Sequence, residues 1–405
     1  MTYHGPARYA VLGALSLLYF LLMAGTFNAL GVVLPAMVGS LGWSWAEAGF
    51  GFTLLGLACG LSSLMPAVAI RRLGVSRTLL TGGVLLAAGF ACLAGTHGVL
   101  GYHVGTVLLG LGFTFAGTVP AVHVISATFE TRASTALGFY FTSGGMGSVA
   151  GPLLFRLTSG LTGDWRPYWM LCAAAALLFS ALAALVTRHR APPADLPTMP
   201  IAPTGWQARR ALATPQYYVV VGAYTSFLLV NTTVHSFAAQ HLLERGLSEN
   251  GAAYVLSAAA FVGAIASLLA GVTGEKASAR TLTTLSLIAV TAGVLGIGFM
   301  GGDAGIGLFV VGMGIGLGFS YVATAMLLLD YFGRRPNLEL YAVMQLISTS
   351  AAIGPALGGI VRDATGNFTA VFAACAAITG LFVLLTALMR RPARPADAPA
   401  LAVAH

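Results

Sequence analysis

The sequence has very little charge: only 8% of its 405 residues are Asp, Glu, Lys or Arg, against about a quarter in a soluble domain. A soluble protein of this length could not keep its surface hydrated with so few ionised groups, so the composition excludes the soluble classes. Lysine is almost missing, because Lys276 is the single one. No basic stripe occurs along the chain, so the net charge of +8 does not indicate a nucleic-acid partner.

Cysteine is also scarce. The four residues, Cys59, Cys92, Cys172 and Cys375, are each isolated in an apolar stretch, and no C-x-x-C spacing occurs. Metal sites and a disulfide framework are therefore not expected. The alternating glycines of 312–318 superficially resemble a dinucleotide-binding loop, but they lie inside an apolar run with no preceding strand, so we interpret them as a slender helix. We expect neither a metal nor a cofactor.

Apolar residues are abundant: 57% of the chain is hydrophobic, enough for about twelve spans of about 20 apolar residues each. The first run is longer than the roughly 7–15 apolar residues of a signal peptide, so we interpret it as a spanning helix. The sequence predicts an all-α membrane protein with twelve transmembrane helices. The apolar runs lie at 9–37, 49–70, 78–95, 101–126, 133–158, 166–187, 216–242, 251–273, 281–300, 305–328, 338–361 and 368–389.

The basic residues divide unevenly between the two sets of loops. Four of them, Arg156, Arg166, Arg245 and Arg362, fall on one side, and the other 16 fall on the side of both termini. Basic loops face the cytoplasm, so we expect both termini to be cytoplasmic and the protein to lie in the inner (plasma) membrane of a bacterial-type cell.

The chain contains an internal duplication. Residues 151–188, shifted by 203, fall on 354–391 without a gap, and 14 of these 38 positions are identical. A proline-rich interruption lies between the two copies. Parallel six-helix repeats form transporters with a site near the middle of the membrane. We predict an N-terminal bundle over 1–187, a cytoplasmic linker over 188–215, a C-terminal bundle over 216–390 and a disordered cytoplasmic tail over 391–405.

Several segments resemble the major facilitator superfamily, and within it the branch of monocarboxylate porters and oxalate–formate antiporters. The resemblance covers nearly the whole chain and implies two pseudo-symmetric six-helix bundles, with helices 1 and 7 lining a central cavity. Members of that branch typically anchor a carboxylate with a basic residue in helix 8 or 11, and the runs 251–273 and 338–361 contain none. The segments that carry the resemblance are Gly31 to Pro35, Leu41 to Glu47, Phe129, Arg132, Ala136 to Gly138 and Tyr331 to Arg335.

Two further segments resemble motifs of the superfamily. The loop after helix 2 keeps the basic residues of the family's gating loop but lacks its acid. Helix 5 resembles the antiporter motif, with the closing Gly-Gly replaced by Phe155-Arg156, whereas helix 11 keeps that ending as Gly358-Gly359. We interpret the glycines as helix-packing surfaces. The gating-loop residues are Arg71, Arg72, Gly74 and Arg77, and the packing residues are Gly138, Gly147, Gly151, Pro152, Gly354 and Pro355.

Charge is missing from the middle of every predicted span, where a buried ion is normally retained for function. The polar residues left there are few. Asn28 and Asn231 are separated by 203, the repeat shift itself, and could either bind a solute or hold the two halves together. Tyr321 and Gln345 add hydrogen-bonding groups, and Phe115 and Tyr140 add rings for stacking. His235 and His123 are the titratable side chains within spans and could carry a proton or be structural.

We therefore predict an alternating-access transporter, working as a monomer in the bilayer, that takes up a small organic solute. The absence of a fixed central charge favours a neutral or weakly charged solute with a ring or several hydroxyls, such as a vitamin-like compound. The alternative is a monocarboxylate–proton symporter or carboxylate exchanger that uses His235 or a helix N-terminus. A drug efflux antiporter is third, indicated by the helix 5 glycines. An enzyme is not expected, since no nucleophile–base pair, metal set or carboxylate pair is present at depth.

Overall fold

The computed structural model describes residues 6–129, 133–188, 206–273, 277–333 and 336–393, and these are almost entirely helical. We number the long helical segments 1 to 12 along the chain. Helices 1–6 are Pro6–Gly25 with Phe27–Leu41, Trp45–Leu61 with Met65–Leu73, Val75–Ala94, Val99–Ala116 with Thr118–Thr128, Ala133–Thr162 and Arg166–Thr187. Helices 7–12 are Pro215–Glu244, Glu249–Thr273, Ala279–Phe299, Gly302–Phe332, Asn337–Ser348 with Gly354–Thr365, and Thr369–Leu388.

Ten of these helices are long and apolar enough to cross a membrane. Helix 2 adds an eleventh span if its two parts, which are bent by 54° at residues 62–64, count as one. Helix 5 is 30 residues long and is rich in serine, threonine and glycine. It packs between helices 1 and 8, so its polar residues meet protein as well as lipid. The predicted all-α membrane fold is confirmed.

Besides helix 2, three helices are interrupted near their middles, which the apolar runs did not indicate. Helix 1 breaks at Thr26, whose hydroxyl donates to the Leu22 carbonyl oxygen at 2.6 Å, a back-bond that bends helices. Helix 4 breaks at Gly117, between Val99–Ala116 and Thr118–Thr128. Helix 11 passes through a 3₁₀ turn, Thr349–Ile353, just before Pro355, which has no N–H for the helical ladder. Hydropathy predicted each of them as one continuous run because a backbone break does not change side-chain polarity.

The twelve helices form two sets, since helices 1–6 pack mainly against one another and so do helices 7–12. The sets meet along three pairs, helix 1 with 7, helix 2 with 11 and helix 5 with 8. We call the end that carries Arg71, Arg72 and Arg77 the arginine-rich end. The three pairs touch most closely toward the other end, the closed end, where Gly31 meets His235 and Gly359 meets Trp45. Among the described residues, no contact of similar extent joins the two sets at the arginine-rich end.

The predicted packing glycines of helix 5 differ in their surroundings. A Cβ atom at Gly147 or Gly151 would overlap the carbonyl oxygen of Phe20 or Ala24 in helix 1, so these two positions let the two backbones touch. A Cβ at Gly138 would meet nothing within 4 Å. In helix 11, Gly354 lies against the Thr233 hydroxyl of helix 7. Of the predicted packing glycines on helix 5, Gly147 and Gly151 therefore pack against helix 1, whereas Gly138 does not.

The predicted linker is partly folded. Residues 189–205 of it lie outside the described residues, as does 394–405 of the predicted tail. Trp206 and the short helix Ala208–Leu212 lie on the C-terminal set of helices. The Trp206 ring packs edge-on against Phe332, with ring centroids 5.4 Å apart. The nine residues 206–214 before helix 7 therefore lie on the second bundle.

Candidate functional site

Helix 7 presents one chemically mixed stripe. Tyr224, Phe227, Asn231 and His235 follow one another at spacings of three and four residues, which places them on a single face. Tyr321 of helix 10 packs edge-on against Phe227, with ring centroids 5.1 Å apart, and lies 6.1 Å from the Tyr224 ring. Tyr321 is 43% exposed although it lies in the middle of its helix, so its ring borders open space between the helices.

Helix 11 adds polar groups to the same wall. The Tyr341 hydroxyl and the exposed amide of Gln345 lie within interaction range of the Tyr224 hydroxyl. A phenol hydroxyl can donate one hydrogen bond and also accept one, and an amide side chain offers two N–H donors and an acceptor oxygen. This wall therefore presents several neutral donors and acceptors around aromatic rings, without an ionised group among them.

Helix 1 provides the opposite wall. Tyr19 stacks on Tyr140 of helix 5, with ring centroids 4.4 Å apart and planes 19° from parallel. Tyr140 is fully buried behind Tyr19, and Thr118, the first residue after the helix 4 break, lies near both hydroxyls. Tyr19 also lies near Tyr321, which belongs to the other bundle. We call Tyr19, Tyr140, Tyr224, Tyr321 and Tyr341 the tyrosine cluster.

Asn28 and Asn231 lie at one level, next to the point where the halves meet. Helices 1 and 7 both run from the arginine-rich end to the closed end, and they touch where a Cβ at Gly31 would overlap the His235 carbonyl oxygen. Asn28 precedes Gly31 by three residues and Asn231 precedes His235 by four, about one helical turn in each case. Asn231 Oδ1 is buried and makes no hydrogen bond within the described part of the chain.

His235 is held by the same turn of helix 7. Its Nδ1 lies 2.8 Å from the Asn231 carbonyl oxygen. Because a carbonyl only accepts, Nδ1 carries the proton, and Nε2 of the neutral ring is the acceptor. Nε2 has no hydrogen-bond partner among the described residues. This ring can therefore take up a proton, or accept a hydrogen bond from a solute, without losing an existing bond.

The other predicted site residues lie apart from this region. His123 is half-buried in the second part of helix 4, toward the arginine-rich end and so at a different level from His235. Phe115 lies on the face of helix 4 that carries the exposed Val104 and Val119, away from Phe113, which contacts Phe27 of helix 1 at 5.9 Å. The structure therefore brings Asn28, Asn231, Tyr321, Gln345 and His235 toward one region, has Tyr140 behind it, and does not bring Phe115 there.

The predicted gating loop makes no ion pair with the part of the chain that the structure describes. The side chains of Arg71, Arg72 and Arg77 are exposed, and none of them has a hydrogen bond or salt bridge to another described residue. Gly74 has φ +82°, a left-handed value that favours glycine, and it joins helices 2 and 3 in a tight turn. Tyr19 and Tyr341 could not be predicted as site residues, because their position in apolar runs did not distinguish them from packing aromatics.

Broken helices beside an uncharged polar cluster, between two bundles that close at one end, are features of polytopic secondary transporters. Within the described ranges, no three or more His, Cys, Asp or Glu side chains group closely enough to hold a metal ion. The chain matches the model of the Major Facilitator Superfamily over residues 15–351 and belongs to that superfamily. The protein is thus a membrane transporter and not an enzyme.

Relatives and solved structures agree with this assignment. Human monocarboxylate transporter 11 is 27% identical over 387 residues, covering 82% of this chain and 79% of the relative. Bovine monocarboxylate transporter 13 is 26% identical and covers 78% and 74%. The fold is similar to that of a bacterial homologue of the human lysosomal transporter Spinster in an inward-facing and occupied conformation. The TM-score is 0.72 at 17% sequence identity, and the match covers 95% of this chain and 96% of that chain. The fold is also similar to the nucleoside transporter NupG, D323A mutant (TM-score 0.74, 14% identity, 94% and 99% covered).

Proposed function

We propose that this transporter takes up a small, neutral or weakly charged solute that contains a ring or several hydroxyls, by alternating access. The single observation that carries the proposal is the chemistry of the central walls. Tyrosine hydroxyls, the Gln345 amide and the unpaired Asn231 oxygen converge there without a lysine, arginine or carboxylate. Rings bind flat solutes through their faces, and neutral donors and acceptors bind hydroxyl, amide or heterocycle edges.

We further propose that the arginine-rich end faces the cytoplasm of a plasma membrane, with both termini inside and the protein acting as a monomer. Short loops rich in arginine favour this orientation. The described conformation, closed at the other end, would then be the one that faces inward. Opening of the closed end would admit the solute from outside.

A thermal-shift screen of the purified protein tests the solute class. We expect pyridoxine or nicotinamide, as neutral ring compounds, to raise the unfolding temperature, because a ligand that binds only the folded state stabilises it. Lactate and oxalate serve as carboxylate probes, and a hydrophobic cationic drug represents the efflux alternative. Stabilisation by lactate or oxalate alone would contradict the proposed class.

A monocarboxylate is the second candidate, and the printed names of the relatives favour it. A carboxylate could be received by the Tyr224 and Tyr341 hydroxyls and the Gln345 amide, with the proton carried by His235. The absence of a central cation weighs against it, since an anion taken out of water without a countercharge costs several kcal/mol. This candidate predicts that lactate stabilises the protein more strongly at acidic pH than at neutral pH.

The Asn231→Ala variant tests the central amide. We expect it to weaken binding of the stabilising solute about tenfold or more, because a polar group left unpaired in a buried site costs about 1–3 kcal/mol. The dissociation constant, taken from the concentration dependence of the thermal shift, measures the effect. Asn367→Ala, which removes an exposed loop amide, is the matched control. Unchanged affinity in Asn231→Ala would remove the amide from the site.

The His235→Gln variant tests proton coupling. Histidine titrates near neutral pH, so uptake that depends on its protonation should rise as the external pH falls from about 8 to about 5.5. Glutamine cannot titrate, and we expect the pH profile of the variant to be flat. Uptake of the stabilising solute into proteoliposomes gives the profile, with His97→Gln, an exposed histidine, as the control. A profile that keeps its slope in His235→Gln would exclude this ring as the proton carrier.

A further inference from the structure

Two seams between the halves are related by the duplication, the pair of helices 2 and 11 and the pair of helices 5 and 8. At the closed end, each seam reaches the first turn of a helix that a serine caps. The Ser44 hydroxyl accepts the Glu47 N–H at 3.2 Å at the start of helix 2. The Ser248 hydroxyl accepts the Gly251 N–H at 3.1 Å at the start of helix 8. The first two residues of these helices, Trp45-Ala46 and Glu249-Asn250, therefore occupy equivalent places.

The first seam is joined by an anion. The Asp363 carboxylate of helix 11 accepts the backbone N–H groups of Trp45 and Ala46 at 3.1 and 2.8 Å. These N–H groups have no partner within their own helix, and a helix N-terminus attracts negative charge. One turn earlier, Gly359 lies against the Trp45 carbonyl oxygen so closely that a Cβ would overlap it.

The second seam is joined by a cation. Arg156 of helix 5 occupies the position that Gly359 holds in helix 11 under the repeat shift of 203. Its Nε donates to Asn250 Oδ1 at 2.8 Å, and its guanidinium forms an ion pair with the Glu249 carboxylate. The Arg156 side chain is 22% exposed, so much of it is shielded from water. Arg156, which replaces the second glycine of the motif's closing Gly-Gly, thus makes the contact across this seam.

The Ser44 and Glu47 N–H groups at the start of helix 2 are bonded independently of Asp363. Helix 2 has its own capping box, because Glu47 also accepts the Ser44 N–H at 2.9 Å. Arg362, the neighbour of Asp363, is paired with Glu244 of the same bundle at 2.8 Å. Among the described residues, Asp363 forms no salt bridge within its own bundle, and its carboxylate bonds to the other bundle.

We propose that Asp363 and Arg156 are two gate residues of opposite charge, one on each seam, that hold the closed end shut and must both release when it opens. The inference rests on the proposed alternating-access cycle. Separation of the bundles would break these bonds and expose the Trp45 and Ala46 N–H groups and the Glu249 carboxylate to water. Because the two seams join the same pair of bundles, loss of one contact favours loss of the other. Neither residue binds the solute.

Amide hydrogen exchange of the full-length protein in lipid nanodiscs, without added solute, tests this proposal. In Asp363→Asn we expect exchange at Trp45 and Ala46 to rise about tenfold, because bonds to a charged acceptor are stronger than those to a neutral one. In Arg156→Gln we expect faster exchange at the start of helix 8 and also at Trp45 and Ala46. In both variants, exchange near the arginine-rich ends of helices 2 and 11 should become slower, as those ends close. Asp303→Asn, an exposed acid near the closed end, is the matched control.

The reciprocal change separates a gate from a local cap. Faster exchange confined to the first turn of helix 2 in Asp363→Asn, with no slowing at the arginine-rich end, would overturn the proposal. So would an Arg156→Gln effect confined to helix 8. The experiment uses no solute, so failure of the proposed solute class in the thermal-shift screen would leave its result intact.

Discussion

The Gly31→Leu variant is expected to reduce transport about a hundredfold or more. Gly31 lies against the His235 carbonyl oxygen where helices 1 and 7 meet, and even a Cβ atom would overlap that oxygen. Adding methylene groups to a packed contact costs about 1–3 kcal/mol and occasionally more, and each 1.4 kcal/mol changes a population tenfold. The variant should therefore populate the conformation described here only rarely, and a transporter that cannot close one end cannot complete its cycle.

The matched control is Gly39→Leu. Gly39 lies in the same segment of helix 1, is exposed, and has no atom within 4 Å of the position of a Cβ. Uptake by proteoliposomes containing equal amounts of folded protein measures the effect, with the solute that gives the largest thermal shift. Equal loss in both variants would indicate a general effect of leucine on helix 1, and full activity of Gly31→Leu would show that this contact is not used in transport.

The Gly151→Leu variant is expected to lose stability more than any site variant. A side chain there would drive helix 5 away from the Ala24 carbonyl oxygen of helix 1 and would separate the neighbouring Gly147 contact as well. We expect a loss of about 3 kcal/mol or more, at the upper end for overpacked interiors. The measurements are the yield of monodisperse protein and the unfolding temperature in detergent.

Gly138→Leu is the control for this prediction, because it lies on the same helix with open space around it. We expect its unfolding temperature to match that of the unmodified protein. If both variants were equally unstable, the small-residue contact between helices 5 and 1 would not be the cause.

The helices and the duplication could be predicted from the sequence because they depend on runs of many residues. The breaks at Thr26 and Gly117 could not, since each depends on the backbone at one position inside a uniformly apolar run. The same uniformity explains why Phe115 was predicted to line the centre although it lies on another face of helix 4. Where every face of a helix is apolar, polarity does not distinguish the face toward the bundle from the face toward lipid, and only packing against helices 1, 2 and 3 decides it.

The polar residues of the centre were easier to predict than the aromatic ones. Asn28 and Asn231 are conspicuous in apolar runs, and their separation by the repeat shift placed them in equivalent positions of two bundles. Tyr19 and Tyr341 have no such signal. The partners of Arg156 were also beyond prediction, because Glu249 and Asn250 lie more than 90 positions away and reach it only through the pairing of helices 5 and 8.

His235 lies both in the candidate site and at the contact between helices 1 and 7 toward the closed end. Its ring is bonded to the carbonyl of Asn231, and its own carbonyl lies against Gly31. A molecule that displaces the Asn231 side chain would therefore also displace the turn of helix 7 that contacts helix 1. If Asn231 binds the solute as proposed, one helical turn separates that contact from the contact between helices 1 and 7 that closes this end.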